Sequence, residues 1–139
     1  MNPRGIGKSS GPAARTMADF AMDVAQVVKA LAADTRPAVL IGHAFGNRVA
    51  RATAAYHPQC VSSLILLACG GQVAIAPVAG KALRDVFDTS LSDEDHIAAV
   101  RTAFFAPGND PEVWRDGWYP AVCQAQRLAL RATPTEDWA

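Results

Sequence analysis

Five residues, Gly42-His43-Ala44-Phe45-Gly46, limit what this chain can fold into more than any other stretch. Ahead of them a short apolar run, Ala38 to Ile41, reads as a buried strand. Behind them, Gly46 to Tyr56 places Val49, Ala52 and Thr53 on one side and Asn47, Arg48 and Arg51 on others, which is helical spacing, and His57-Pro58 closes it. A strand that turns this abruptly into a helix pushes the residue at the corner, Ala44, into a strained conformation. A Cβ at either flanking glycine is expected to clash in so tight a turn. The start of the helix presents unpaired N–H groups and a positive dipole end, a setting suited to a developing negative charge.

The neighbouring elements extend the pattern. A helix is expected from about Met17 to Ala32, because Met17, Phe20, Ala21, Val24, Val27, Val28 and Leu31 keep one face of a 3.6-residue period. Thr16 and Asp19 at its start form a pair like a capping box, with Asp in place of Glu. Val61 to Ala68 is rich in Leu, Ile and Val and lacks strict alternation, as a parallel strand covered on both faces does. Helix, strand, helix, strand with short connections is the order of an α/β sheet. After Gly71 only helical segments follow: about Lys81 to Asp88, about Asp93 to Phe105 behind a Ser92 cap, a short turn at Pro111, and about Ala121 to Ala132. The expected organisation is an α/β part over 1–71 and a helical part over 72–139. Seven of the ten aromatic residues lie in the helical part, as they do in a cap with an aromatic underside or in a plain helical core.

Composition narrows the functional classes. Thirteen Lys and Arg balance thirteen Asp and Glu, and half the residues are hydrophobic, so neither a basic nucleic-acid binder nor a disordered chain is expected. Cys60, Cys69 and Cys123 have no Cys-x-x-Cys pair and no His spacing that holds zinc, so no metal is expected. Buried thiols and the lack of an apolar run behind Arg4 and Lys8 point to a cytoplasmic protein. Val61 to Gly80 has no charge and about the length of a membrane span, but Gly70, Gly71, Gln72 and Pro77 break it, so no membrane partner is expected. Gly5-Ile6-Gly7-Lys8-Ser9-Ser10-Gly11 looks first like a phosphate loop. Asn2 stands where a P-loop needs glycine, no strand precedes it, and Ser10 stands where a dinucleotide fingerprint needs glycine, so no nucleotide cofactor is expected.

The corner segment resembles the nucleophile elbow of the α/β-hydrolase fold family, whose form is Gly-x-Ser-x-Gly. Asn2-Pro3-Arg4-Gly5-Ile6-Gly7-Lys8-Ser9 is similar to the family's Asp-x-Arg-Gly-x-Gly-x-Ser loop. Tyr56-His57-Pro58 and Val61 to Gly71 resemble the stretch after the elbow helix, and Gln72 to Arg131 is similar to the helical cap of many members. The resemblance implies a partial α/β-hydrolase fold, hydrolysis of a small, fairly apolar ester, amide or similar bond, and no cofactor. It also implies that the Phe45 N–H is an oxyanion donor, and it makes His43, Cys69, Phe104, Trp114 and Trp118 candidates for lining a ligand pocket.

The departures weigh as much. Ala44 holds the nucleophile's position, and a methyl group neither attacks a carbonyl nor responds to a base. In a serine hydrolase, loss of that hydroxyl costs on the order of a million-fold in turnover. The acid and histidine that follow the nucleophile in the family lie after later strands, and this sequence has no strand-like run after Ala68. His43 within the elbow, His57 at a helix end and His96 in a later helix read as structural. Ser9, Ser10 and Cys69 are the available substitute nucleophiles, with no base or cation that the sequence assigns to them. The resemblance implies that the chain is the middle of a larger fold, shortened at both ends. Two expectations follow: a family member inactive by the serine mechanism, or a binding protein of the same fold that holds a small apolar ligand.

Overall fold

The computed structural model describes residues 1–31, 36–70 and 74–138. The chain divides into two compact units, Met1–Gly70 with Gln124–Ala139, and Gly71–Cys123. The boundary expected at Gly71 and Gln72 falls outside the described residues, as does Ala32 at the expected end of the first helix.

In the first unit, helix α1 spans Met17–Leu31. Its start is fixed by the expected reciprocal pair. The Asp19 N–H donates to Thr16 Oγ1 at 3.2 Å, and the Asp19 carboxylate accepts from the N–H groups of Arg15 at 2.7 Å and Thr16 at 2.9 Å. The bond from the Arg15 N–H, foremost among these, holds the Asp19 carboxyl below its ordinary range, because it favours the charged form.

Strand β1, Ala38–His43, leads through helix α2, Phe45–Tyr56, and a 3₁₀ turn, Pro58–Cys60, to strand β2, Val61–Leu67. The two strands pair in parallel, with Leu40 beside Leu64 and His43 beside Leu67. The expected α/β order is therefore present: a two-stranded parallel sheet with flanking helices.

Burial of both strand faces, however, is not observed. Gly42 points at the start of α2, so that face of β1 is covered. On the opposite face Val39, Ile41, Ile65 and Leu67 remain between 45% and 65% exposed. Apolar composition marked these residues for cover, but no described element supplies it. The core of the unit lies instead where α1 and α2 meet. There Met17, Phe20, Ala21 and Ala52 are buried, and the Phe20 and Phe45 rings meet edge to face at 5.3 Å. Residues from 124 onward join this core. Ala129 is fully buried, Thr133 Oγ1 accepts from the Met17 N–H at 2.9 Å, and the Tyr56 hydroxyl donates to Asp137 at 2.6 Å.

The second unit is helical. It contains α3, Pro77–Asp85, α4, Asp93–Phe104, and a 3₁₀ turn, Pro111–Trp114, and it ends within α5, Pro120–Arg131. α3 begins four residues before the expected Lys81, because Pro77 is preorganised for the first helical turn, where its missing N–H leaves nothing unpaired. Ser92 caps α4 as expected, its Oγ accepting from the Asp95 N–H at 3.1 Å. Val86, Ala99 and Val100 form the buried centre, with Phe87, Phe105 and Trp118 packed on them. Among the described residues, no helix is long and apolar enough to cross a membrane.

Candidate functional site

The corner between β1 and α2 is built around Ala44, with φ 50° and ψ −115°. A non-glycine residue at positive φ costs about 1–3 kcal/mol and persists only where its surroundings over-determine it. Three hydrogen bonds do so here. The Ala44 N–H donates to the Leu67 carbonyl at 3.1 Å, Asn47 Nδ2 donates to the same carbonyl at 2.9 Å, and the Asn47 N–H returns to the Ala44 carbonyl at 3.1 Å. The end of β2 thereby holds the corner of β1. Asn47 is 2% exposed, and among the described residues its Oδ1 has no partner.

The two glycines have different roles. A Cβ on Gly42 would stand 2.5 Å from the Gly46 carbonyl oxygen and 2.8 Å from the Asn47 nitrogen, both backbone atoms, so only glycine lets strand and helix approach this closely. A Cβ on Gly46 would meet nothing within 4 Å, and Gly46 is not among the residues at positive φ. The expectation that both glycines are sterically required is therefore corrected: only Gly42 is. The Gly46 carbonyl lies against Gly42, whereas the direction in which a Gly46 Cβ would point is open.

The start of α2 is electrostatically uncompensated. Ala44 offers no side-chain cap and the first turn has no acidic residue. Phe45 is the first helical residue, so its N–H has no carbonyl within the helix to bond. A cavity of about 640 Å³ opens beside this corner and includes Phe20, Val24, His43, Ala44, Phe45 and Val49 in its lining. Val39, Leu40 and Ile41 all border it, so it follows the edge of β1 away from β2. Asp23 also borders it, but that carboxylate is engaged. Arg4 holds it through Nε at 2.7 Å and through a second guanidinium nitrogen at 2.6 Å, and the third nitrogen donates to the Pro12 carbonyl at 2.9 Å. The bond to Asp23 raises the pKa of Arg4 further, since it favours the charged guanidinium.

The remaining candidates are spread over both units. His43 borders the cavity together with Ala44 and Phe45. Cys69 does not; it is exposed, and an Arg51 guanidinium nitrogen lies 3.0 Å from its Sγ. The sequence could not assign that cation, although Asn47 and Arg51 stand one helical turn apart and both reach the end of β2. Ser9 Oγ donates to the Asn2 carbonyl at 2.9 Å, and neither Ser9 nor Ser10 borders the cavity. His57 ends α2, its N–H donating to the Thr53 carbonyl at 2.8 Å. Phe104, Trp114 and Trp118 belong to the second unit, where they pack on one another with centroids 5.5 to 6.4 Å apart. His96 lies against the same cluster, 6.0 Å from Trp118. Among the described residues, no group of three His, Cys, Asp or Glu side chains is placed to hold a metal ion.

A comparison with protein families finds one match that bears on this corner. The model of the alpha/beta hydrolase fold matches residues 1–94, which include the corner, both strands and α3. No curated protein and no solved structure matches the chain.

Proposed function

Because the chain belongs to the alpha/beta hydrolase fold family, with 94 of its 139 residues matched, we propose that its corner is the seat of a hydrolase nucleophile and that this chain runs no serine-type acyl transfer. The reaction for which the corner is built is hydrolysis of a small, fairly apolar ester, amide or similar bond. In that reaction the hydroxyl of the corner residue attacks the carbonyl, and the N–H of the next residue, Phe45, stabilises the oxyanion. The single observation that carries the reading is Ala44 itself. It occupies the strained position at the helix start and borders the cavity, yet it carries only a methyl group. The helical part beyond β2 is read as the counterpart of the family's cap, supported by the helices that are its regular elements among the described residues and by its concentration of aromatic rings.

A second reading is a binding protein that holds a small apolar ligand. The apolar lining of the cavity favours it, because Phe20, Val24 and Val49 offer contact area and Asp23, the one bordering carboxylate among the described residues, is engaged by Arg4. Generic short-chain esters test the main reading. The unmodified protein is expected to release acyl product no faster than buffer. Release above buffer that disappears in Ser9→Ala or Cys69→Ala would overturn it. Tight binding of short alkyl or aryl esters without turnover would select the binding reading.

A further inference from the structure

A second cavity, of about 550 Å³, lies in the first unit at the other end of the sheet. Arg36 and Pro37, just before β1, and His57, Gln59 and Cys60, just before β2, border it, so it sits where both parallel strands begin. The elbow is at the opposite ends of the same strands. From α1, Gln26 and Lys29 face the same space, with Met22 and Val28 as apolar wall.

The chemistry of this lining is one-sided. Lys29, Arg36 and His57 come from three separate segments, and no carboxylate borders the cavity among the described residues. None of the three makes an ion pair among the described residues. The unit around them carries nine Lys or Arg against five Asp or Glu, although the whole chain is balanced. Basic groups near helix ends have another use: Lys29 in the last turn of α1 and His57 at the end of α2 both stand at a negative dipole end, which the Lys29 ammonium offsets. Arg36 belongs to neither helix, and dipole compensation gives no reason for a cavity or for the two glutamine amides beside it.

We propose that this cavity binds a phosphate monoester with a small apolar body. The Arg36 guanidinium and Lys29 ammonium take the phosphoryl oxygens as charge-assisted donors, with the amides of Gln26 and Gln59 beside them. The apolar body lies against Met22, Val28 and Pro37. This site is separate from the elbow and does not depend on the reading of Ala44.

The test is titration of the ¹⁵N-labelled full chain with inorganic phosphate and with phenyl phosphate, read from its amide resonances. Saturable shifts are expected at 26–29, 36–37 and 57–60, with phenyl phosphate binding more tightly than inorganic phosphate. Arg36→Ala and Lys29→Ala, both at exposed positions, are each expected to weaken phenyl phosphate by roughly tenfold, the effect of losing one charge-assisted bond. Asp34, between these cations in the sequence, lies outside the described residues, and Asp34→Asn is expected not to weaken binding. Absence of saturable shifts at these residues, or shifts that survive both substitutions unchanged, would overturn the proposal and leave dipole compensation as the role of Lys29.

Discussion

Both strands end on an alanine at positive φ, Ala44 at 50° after β1 and Ala68 at 49° after β2, yet their surroundings differ. Ala44 is bonded through its N–H to Leu67 and through its carbonyl to Asn47, and Gly42 brings the helix against the strand beneath it. Ala68, exposed as Ala44 is, leads to Cys69, where the Arg51 side chain reaches the sulfur at 3.0 Å. Strain by itself therefore does not mark a site. Strain that the neighbouring backbone holds in place from several directions does, because the structure then keeps it against a cost of about 1–3 kcal/mol.

The largest effect expected is at Gly42. Gly42→Ala sets a Cβ against backbone atoms at 2.5 and 2.8 Å, so α2 must move off the strand, at a cost of roughly 3 kcal/mol or more in chemical denaturation. Gly46→Ala separates the two glycines sharply. With open space around it and a position in the first turn of α2, it is expected to be neutral or to stabilise by up to about 1 kcal/mol. Comparable losses at both positions would break the account of the corner.

The alanine pair gives a smaller contrast. Ala44→Gly and Ala68→Gly both remove a Cβ from positive φ, and each is expected to stabilise by about 1 kcal/mol or less. A gain at Ala44 that is absent at Ala68 would sharpen the difference, showing that only the bonded corner keeps its strain in solution. Smallest of all is Asn47→Ala. Leu67 retains its bond from the Ala44 N–H, and the variant also removes an Oδ1 that has no partner among the described residues, so a loss under about 1 kcal/mol is expected from thermal unfolding.

The corner was legible in the sequence because it depends on local chemistry: two glycines at fixed offsets between an apolar run and a helical period. The Thr16 and Asp19 pair and the Ser92 cap were legible for the same reason, since each acts within four residues of chain. What the sequence could not show depends on distant partners. Apolar composition at Val39, Ile41, Ile65 and Leu67 says that a strand prefers cover, not whether a described element provides it. The separate roles of Gly42 and Gly46 follow from where each Cβ would point, against the backbone of α2 or into open space, and no residue type encodes that. Arg51 reaching Cys69, and Thr133 reaching Met17, join residues 18 and 116 positions apart, beyond any helical or strand period.

The corner proposed as a nucleophile's seat carries Ala44, a methyl group with nothing to attack a carbonyl. Intact mass after incubation with a fluorophosphonate, which labels activated serines in hydrolases, tests this directly on the unmodified protein. The mass is predicted to stay that of the unlabelled chain, since Ala44 has no hydroxyl and Ser9 donates its hydroxyl to its own loop. A stoichiometric adduct on Ser9, Ser10 or any other serine would contradict it.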